Sequence, residues 1–228
     1  MRDSIPEGGT GIVRFHITLA DEPGADARAL ADVVEMWVRA INLGFFGDAR
    51  ISVSEPIEAR GRSVVGGMRC ERVPSAAFQL LARMVSRFSR VRARVESIDI
   101  WREEGHRSLV SRDPVEVPPL PETFPFPVDY PNDFHADVRV EVGFRSPLTP
   151  PEKDTIFDAL SVWDALVEAL ADEERWAEVS DYETRLMSRS IVEHVVSGYF
   201  AGPEGFDLVV HMGLRLHQRL NIERLTME

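Results

Sequence analysis

The sequence predicts an α+β protein in which one order of strands and helices is used twice. Three observations predict it: helical stripes that recur at one interval, strand-like alternations that recur at the same interval, and a proline-rich stretch between the two sets. Leu30, Val34, Trp37 and Ile41 are spaced 4, 3 and 4 apart, the stripe of one buried helix face. Ile156, Leu160, Trp163 and Val167 repeat that stripe 126 residues later, with Trp matched to Trp. Phe78, Leu81, Met84 and Phe88 form a second stripe, which returns 128 residues on as Phe206, Val209, Met212 and Leu216. Offsets that drift only from 125 to 128 across five elements read as an internal duplication.

Each element has a local reason. Phe15, Ile17 and Leu19 alternate in a first strand over 11–20, as Val140, Val142 and Phe144 do over 136–145. The first helix, 26–42, ends at Asn42-Leu43-Gly44, where glycine suits a left-handed cap. Strands at 50–58 and 62–71, a helix at 75–90 and a strand at 93–102 complete the first set. In the second set the helix at 150–171 opens on Thr149-Pro150-Pro151-Glu152, a hydroxyl cap three residues before a carboxylate with proline at the first helical position. Strands at 177–185 and 189–200, a helix at 204–219 and a strand at 221–227 follow. Arg62–Val65 matches Arg189–Val192, and Val95–Ile100 matches Ile222–Met227, both at 127.

Strand–helix–strand–strand–helix–strand is the order of a ferredoxin-like unit, an antiparallel four-stranded sheet with both helices on one face. The expected fold is therefore a tandem duplication: a first ferredoxin-like repeat over 1–102, a connector over 103–135 and a second, acidic repeat over 136–228. The two sheets pack either face to face, as an α+β barrel, or edge to edge. The connector holds seven of the fifteen prolines, which favours an extended path. Phe124, Phe126, Tyr130 and Phe134 punctuate it, so it is expected to lie against the folded body.

Composition sets the class. The chain has 228 residues, 44% hydrophobic and 28% charged, which is ordinary globular usage and argues against disorder, collagen and coiled coil. No apolar run reaches the roughly 18 residues of a bilayer span, and residues 1–11 lack the apolar region of a signal peptide. Cys70 is the only cysteine, which excludes an intramolecular disulfide and a cysteine-rich metal site, and fits a reducing cytoplasm. Lys153 is the only lysine among 26 basic residues, a pattern of GC-rich bacterial codon usage. Residues 1–111 carry 16 basic and 15 acidic residues (+1), whereas 112–228 carry 10 and 23 (−13), which together give the net −12. That field repels nucleic acid and anionic membrane, and suits a basic protein partner.

The catalytic inventory is short. Gly8-Gly9-Thr10-Gly11 precedes a strand and Gly66-Gly67 sits in one, so neither is a phosphate loop. His211 and His217 are six apart on a helix and do not share a face for a metal. Cys70 beside Arg69 and Arg72 reads as a small buried residue. No cofactor and no metal is implied.

Three features stand above this background. Arg83, Arg87, Arg90 and Arg94 form a basic stripe, without the aromatic platform of an RNA-binding sheet. Phe45 and Phe46, between Gly44 and Gly47, form an apolar loop where the second copy reads Ala171-Asp172-Glu173-Glu174-Arg175, and are candidate partner anchors. On the sheet faces turned away from the helices, Arg14 and His16 in the first copy and Arg139 and Glu141 in the second are candidate ligand-binding residues. Either Glu193 or His194 joins them, depending on register, and His194 completes the candidate set. The expected function is that of a non-enzymatic interaction or regulatory protein, such as an acidic antitoxin-like or immunity-like binder of a basic protein, with self-association compatible. The alternatives are a small-molecule-binding protein or enzyme using the polar sheet faces, and a nucleic-acid binder, which the charge disfavours.

Overall fold

The computed structural model describes residues 11–20, 25–102, 117–130, 137–171, 181–198 and 202–228. In chain order these form β1 (Gly11–Leu19), α1 (Ala25–Leu43), β2 (Arg50–Arg60), β3 (Ser63–Glu71), α2 (Ser75–Val91) and β4 (Val95–Arg102). There follow β5 (Val128–Asp129), β6 (Asp137–Phe144), α3 (Pro150–Leu170), β7 (Tyr182–Ser188), β8 (Ile191–Ser197), α4 (Gly202–Leu220) and β9 (Ile222–Met227). Among the described residues the fold is α+β, with four helices and two mostly antiparallel sheets, ordered β2-β3-β1-β4 and β5-β9-β6-β8-β7. The chain divides into two compact units, Met1–Asn42 with Asp48–Glu116, and Leu43–Gly47 with Val117–Glu228.

In the first unit, Val13, Phe15, Ile17 and Leu19 of β1 are buried, while Arg14, His16 and Thr18 lie on the opposite face. Phe15 stands opposite Gly66 of β3, and its ring lies on that glycine: a Cβ there would be 2.7 Å from the ring Cζ. Trp37 of α1, fully buried, donates its indole N–H to the Ala77 carbonyl in the first turn of α2 at 2.6 Å and meets Phe78 at 5.5 Å. The Asn42 side chain bonds both the N–H and the C=O of Ile51 at 2.9 Å, as a strand partner would. Gly44 then takes the left-handed conformation, φ +94°, past the helix end.

The second unit repeats several of these devices. Trp163 of α3, also fully buried, donates to the Gly205 carbonyl in the first turn of α4 at 2.8 Å. The α3 start is closed by the Glu152 carboxylate, which accepts from the Thr149 N–H at 2.8 Å and hydroxyl at 2.6 Å. These bonds hold the Glu152 carboxyl below its usual value.

Two expectations need correction. The second sheet has five strands, not four, because Val128–Asp129 of the proline-rich stretch pairs in parallel with β9. Proline lacks a donor but keeps its acceptor, and at this sheet edge the Pro127 carbonyl takes the Leu225 N–H at 3.0 Å. The matching of β3 with β8 is also shifted by one residue. Ile17 faces Val64 and Val142 faces Val192, so the places of Glu193 and His194 are held in the first unit by Val65 and Gly66, not by Gly66 and Gly67. Strand pairing, not the shared Arg-Ser of the preceding turns, sets which side chain faces which layer. The core volumes then complement: a large Phe15 over Gly66 in one unit, a small Val140 beside His194 in the other.

Candidate functional site

The open face of the first sheet is held by ion pairing. Arg14 donates from Nε and Nη2 to Glu55 Oε1, at 3.1 and 2.8 Å. Gly67, opposite Arg14, makes this reach possible, because a Cβ there would lie 3.1 Å from the Glu55 Cβ, Cγ and Cδ. The carboxylate side chain from β2 therefore crosses β3 over the glycine. His16, in register with Val65 and Asp99, has its Nε2 3.5 Å from the Thr18 hydroxyl.

The open face of the second sheet uses a similar device. Glu141 and Glu193 stand directly opposite each other, an arrangement of like charge that destabilises a strand pair. Arginines offset it: Arg139 lies 3.3 Å from Glu193, and Arg224 bonds Glu141 at 2.5 Å. Gly143 gives Arg224 its passage, a Cβ there falling 2.9 Å from the Arg224 Cγ. Glu193 is the deepest of these charges, its side chain 8% exposed. On β7, Glu183 and Arg185 bond each other, which holds the carboxyl below and the guanidinium above their usual values.

The candidate residues thus fall in separate places. Arg14 and His16 lie on the first unit's open face, and Arg139 and Glu141 on the second's, where three of the four carry charged partners from their own sheet. His194 does not join them. Opposite the core residue Val140, it points beneath α3, and Glu193 takes the open-face position. Phe45 and Phe46 are not exposed anchors, since they are 0% and 3% exposed and belong to the second compact unit. In that unit Gly44 lies against Arg215 with no space for a Cβ. In the basic stripe, Arg83 and Arg87 are half-buried and Arg90 and Arg94 exposed; Cys70 is buried.

One polar constellation lies, apart from His194, outside the candidate residues of the sequence. His194, fully buried, sits between the Asp164 carboxylate of α3 and the Thr184 hydroxyl of β7. Its Nε2 is 2.7 Å from Asp164 Oδ1, and its Nδ1 is 2.8 Å from Thr184 Oγ1. The Trp163 ring meets the imidazole edge-on at 5.7 Å. When Asp164 is ionised, Nε2 donates to its carboxylate. Burial raises the Asp164 carboxyl above its usual value; the bond and charge of His194 pull it down, and Glu168 one turn on adds to the rise. Glu168 accepts from the Tyr182 hydroxyl at 2.6 Å. Glu168 lies in the last turn of α3, which has no basic residue, so the helix dipole disfavours it there, and its bond to Tyr182 of β7 supplies the compensation. That acid is the signal the sequence offered; the partners of the two carboxylates lie 14 to 30 residues away and have no local pattern.

Among the described residues, no group of three His, Cys, Asp or Glu side chains is placed to hold a metal ion, and no helix is long and apolar enough to cross a membrane. Comparison with protein-family models, with curated proteins and with solved structures gives no match to this chain.

Proposed function

We propose that the chain is a tandem of two ferredoxin-like units that acts by binding a basic protein surface. The fold reading rests on the common strand order, β2-β3-β1-β4 and β7-β8-β6-β9, and on the paired indole-to-carbonyl bonds of Trp37 and Trp163. One observation carries the functional reading: the first helices of the two units differ in the charge of their outward rows. On α1 the row Arg28, Asp32, Glu35 and Arg39 is balanced. On α3 the corresponding row Asp154, Asp158, Ser161 and Ala165 holds two acids and no cation, with Glu168 beyond it turned to Tyr182 of β7. A surface of one sign steers an oppositely charged partner and repels nucleic acid. The test is titration of the full chain with a nona-arginine peptide and with duplex DNA at about 50 mM salt, where screening is weak. The peptide binds and the DNA does not. Asp154→Lys with Asp158→Lys weakens peptide binding about tenfold, whereas Asp32→Lys with Glu35→Lys changes it less than about twofold. Equal losses from the two pairs overturn the assignment to α3, and DNA binding overturns the class.

A polar small-molecule site is the second reading. The hydroxyl–imidazole–carboxylate chain of Thr184, His194 and Asp164 favours it, since that order of groups relays a proton.

A further inference from the structure

The two sheets treat their second strands differently. Among the described residues β2 and β7 are each terminal in their sheets. An exposed strand edge invites pairing with another chain, and proteins blunt it with proline, bulges and twist. β2 is blunted: it contains Pro56, and its register shifts twice, between Val53 and Glu55 and between Glu55 and Glu58. β7 contains no proline, and its only register shift falls at its far end, between Leu186 and Ser188. It also shows Leu186 and Met187 to solvent, 42% and 55% exposed.

The direction of its backbone groups follows from one bond. Ser197 N–H donates to the Asp181 carbonyl at 2.9 Å, so in an alternating antiparallel ladder Glu183 and Arg185 also face β8. Thr184 and Leu186 then direct their N–H and C=O groups outward.

We infer that this edge pairs with the β7 of a second copy of the chain, antiparallel about a two-fold axis through Thr184. The strand reads Tyr182-Glu183-Thr184-Arg185-Leu186, and that order is self-complementary about its centre. Glu183 faces Arg185 of the copy and Arg185 faces Glu183, Tyr182 faces Leu186 and Leu186 faces Tyr182, while threonine meets threonine. The charged pairs fall at the non-hydrogen-bonded positions, where side chains approach most closely. An unrelated extended segment would have to supply the same five-residue pattern, whereas a second copy carries it by construction.

The inference is independent of the α3 surface and is tested by sedimentation of the full chain over about 1–100 μM, a range that spans weak to moderate self-association. The chain sediments as a dimer. Glu183→Arg and Arg185→Glu each set like charges opposite at both symmetric positions and weaken the dimer roughly 30-fold or more. An equimolar mixture of the two variants forms a heterodimer, because one strand then carries two arginines and the other two glutamates. The double exchange, Glu183→Arg with Arg185→Glu, restores the homodimer. Both side chains are more than half exposed, so the variants fold, and circular dichroism checks that. A monomer throughout the range, a dimer that neither reversal weakens, or folded variants that fail to combine would each overturn the inference.

Discussion

Replacing Gly66 by alanine tests the packing of the first unit directly. The new Cβ would fall 2.7 and 2.8 Å from two atoms of the Phe15 ring, against about 3.5–4.0 Å for carbons in contact, an overlap of about 1 Å. The ring is 1% exposed and β1 is flanked on both sides, by β3 and β4, so neither the side chain nor the strand has room to retreat. Overpacking of that kind costs about 2–3 kcal/mol. Phe15→Val alone empties most of the ring's volume and costs about 2–4 kcal/mol. Together the two changes relieve each other, since the alanine methyl enters the space the ring has left. The double variant should be about 1–2 kcal/mol more stable than the sum of the singles. Urea denaturation with native-state hydrogen exchange at the β1 and β3 amides reads the first unit by itself. A Gly66→Ala cost below about 0.5 kcal/mol, or costs that add within about 0.5 kcal/mol, would refute the contact.

The matched tryptophans should respond alike. Trp37→Phe and Trp163→Phe each remove the indole bond to a helix carbonyl that keeps its own backbone donor, and cost about 0.5–1.5 kcal/mol, while either residue changed to alanine costs about 3–5 kcal/mol; a near-neutral indole replacement at either site would show that its bond contributes nothing. Asp164 gives a pH signature. Its carboxyl titrates higher in the folded chain than its unfolded value of 3.8, so over that interval the folded chain holds a proton the unfolded chain has released. Its contribution therefore falls as pH rises from about 4 through the folded value. The Tm of the parent chain minus that of Asp164→Asn should decline across this interval, and a difference that is flat or rises would remove burial as the dominant cause.

The features legible in the sequence by itself are periodic. A 3.6-residue stripe marks a helix face wherever the helix later packs, and so Trp37, Trp163 and their neighbours declare themselves as core. Capping is equally local, and Thr149 with Glu152 closes α3 within four residues. Register is different. A shift of one residue moves His194 from the solvent face to the helix face, and only its pairing with Val140 settles which holds. The Thr184–His194–Asp164 chain is assembled from three elements and has no pattern in any one of them. Phe45 and Phe46 show the same limit, since an apolar loop reads identically whether it is covered or bare. Nor does proline density foretell that two residues of the stretch lie at a sheet edge, where a missing donor does no harm.

The discontinuous make-up of the second unit has a consequence for biosynthesis. Leu43–Gly47 leave the ribosome early, yet the compact body to which they belong is complete only when Glu228 has been made. At roughly 5–20 residues per second that is a delay of about ten seconds or more. Until then Phe45 and Phe46 lack the surroundings that bury them in the finished chain. The nascent protein therefore passes through an interval in which an apolar pair is open to chaperones and to neighbouring nascent chains.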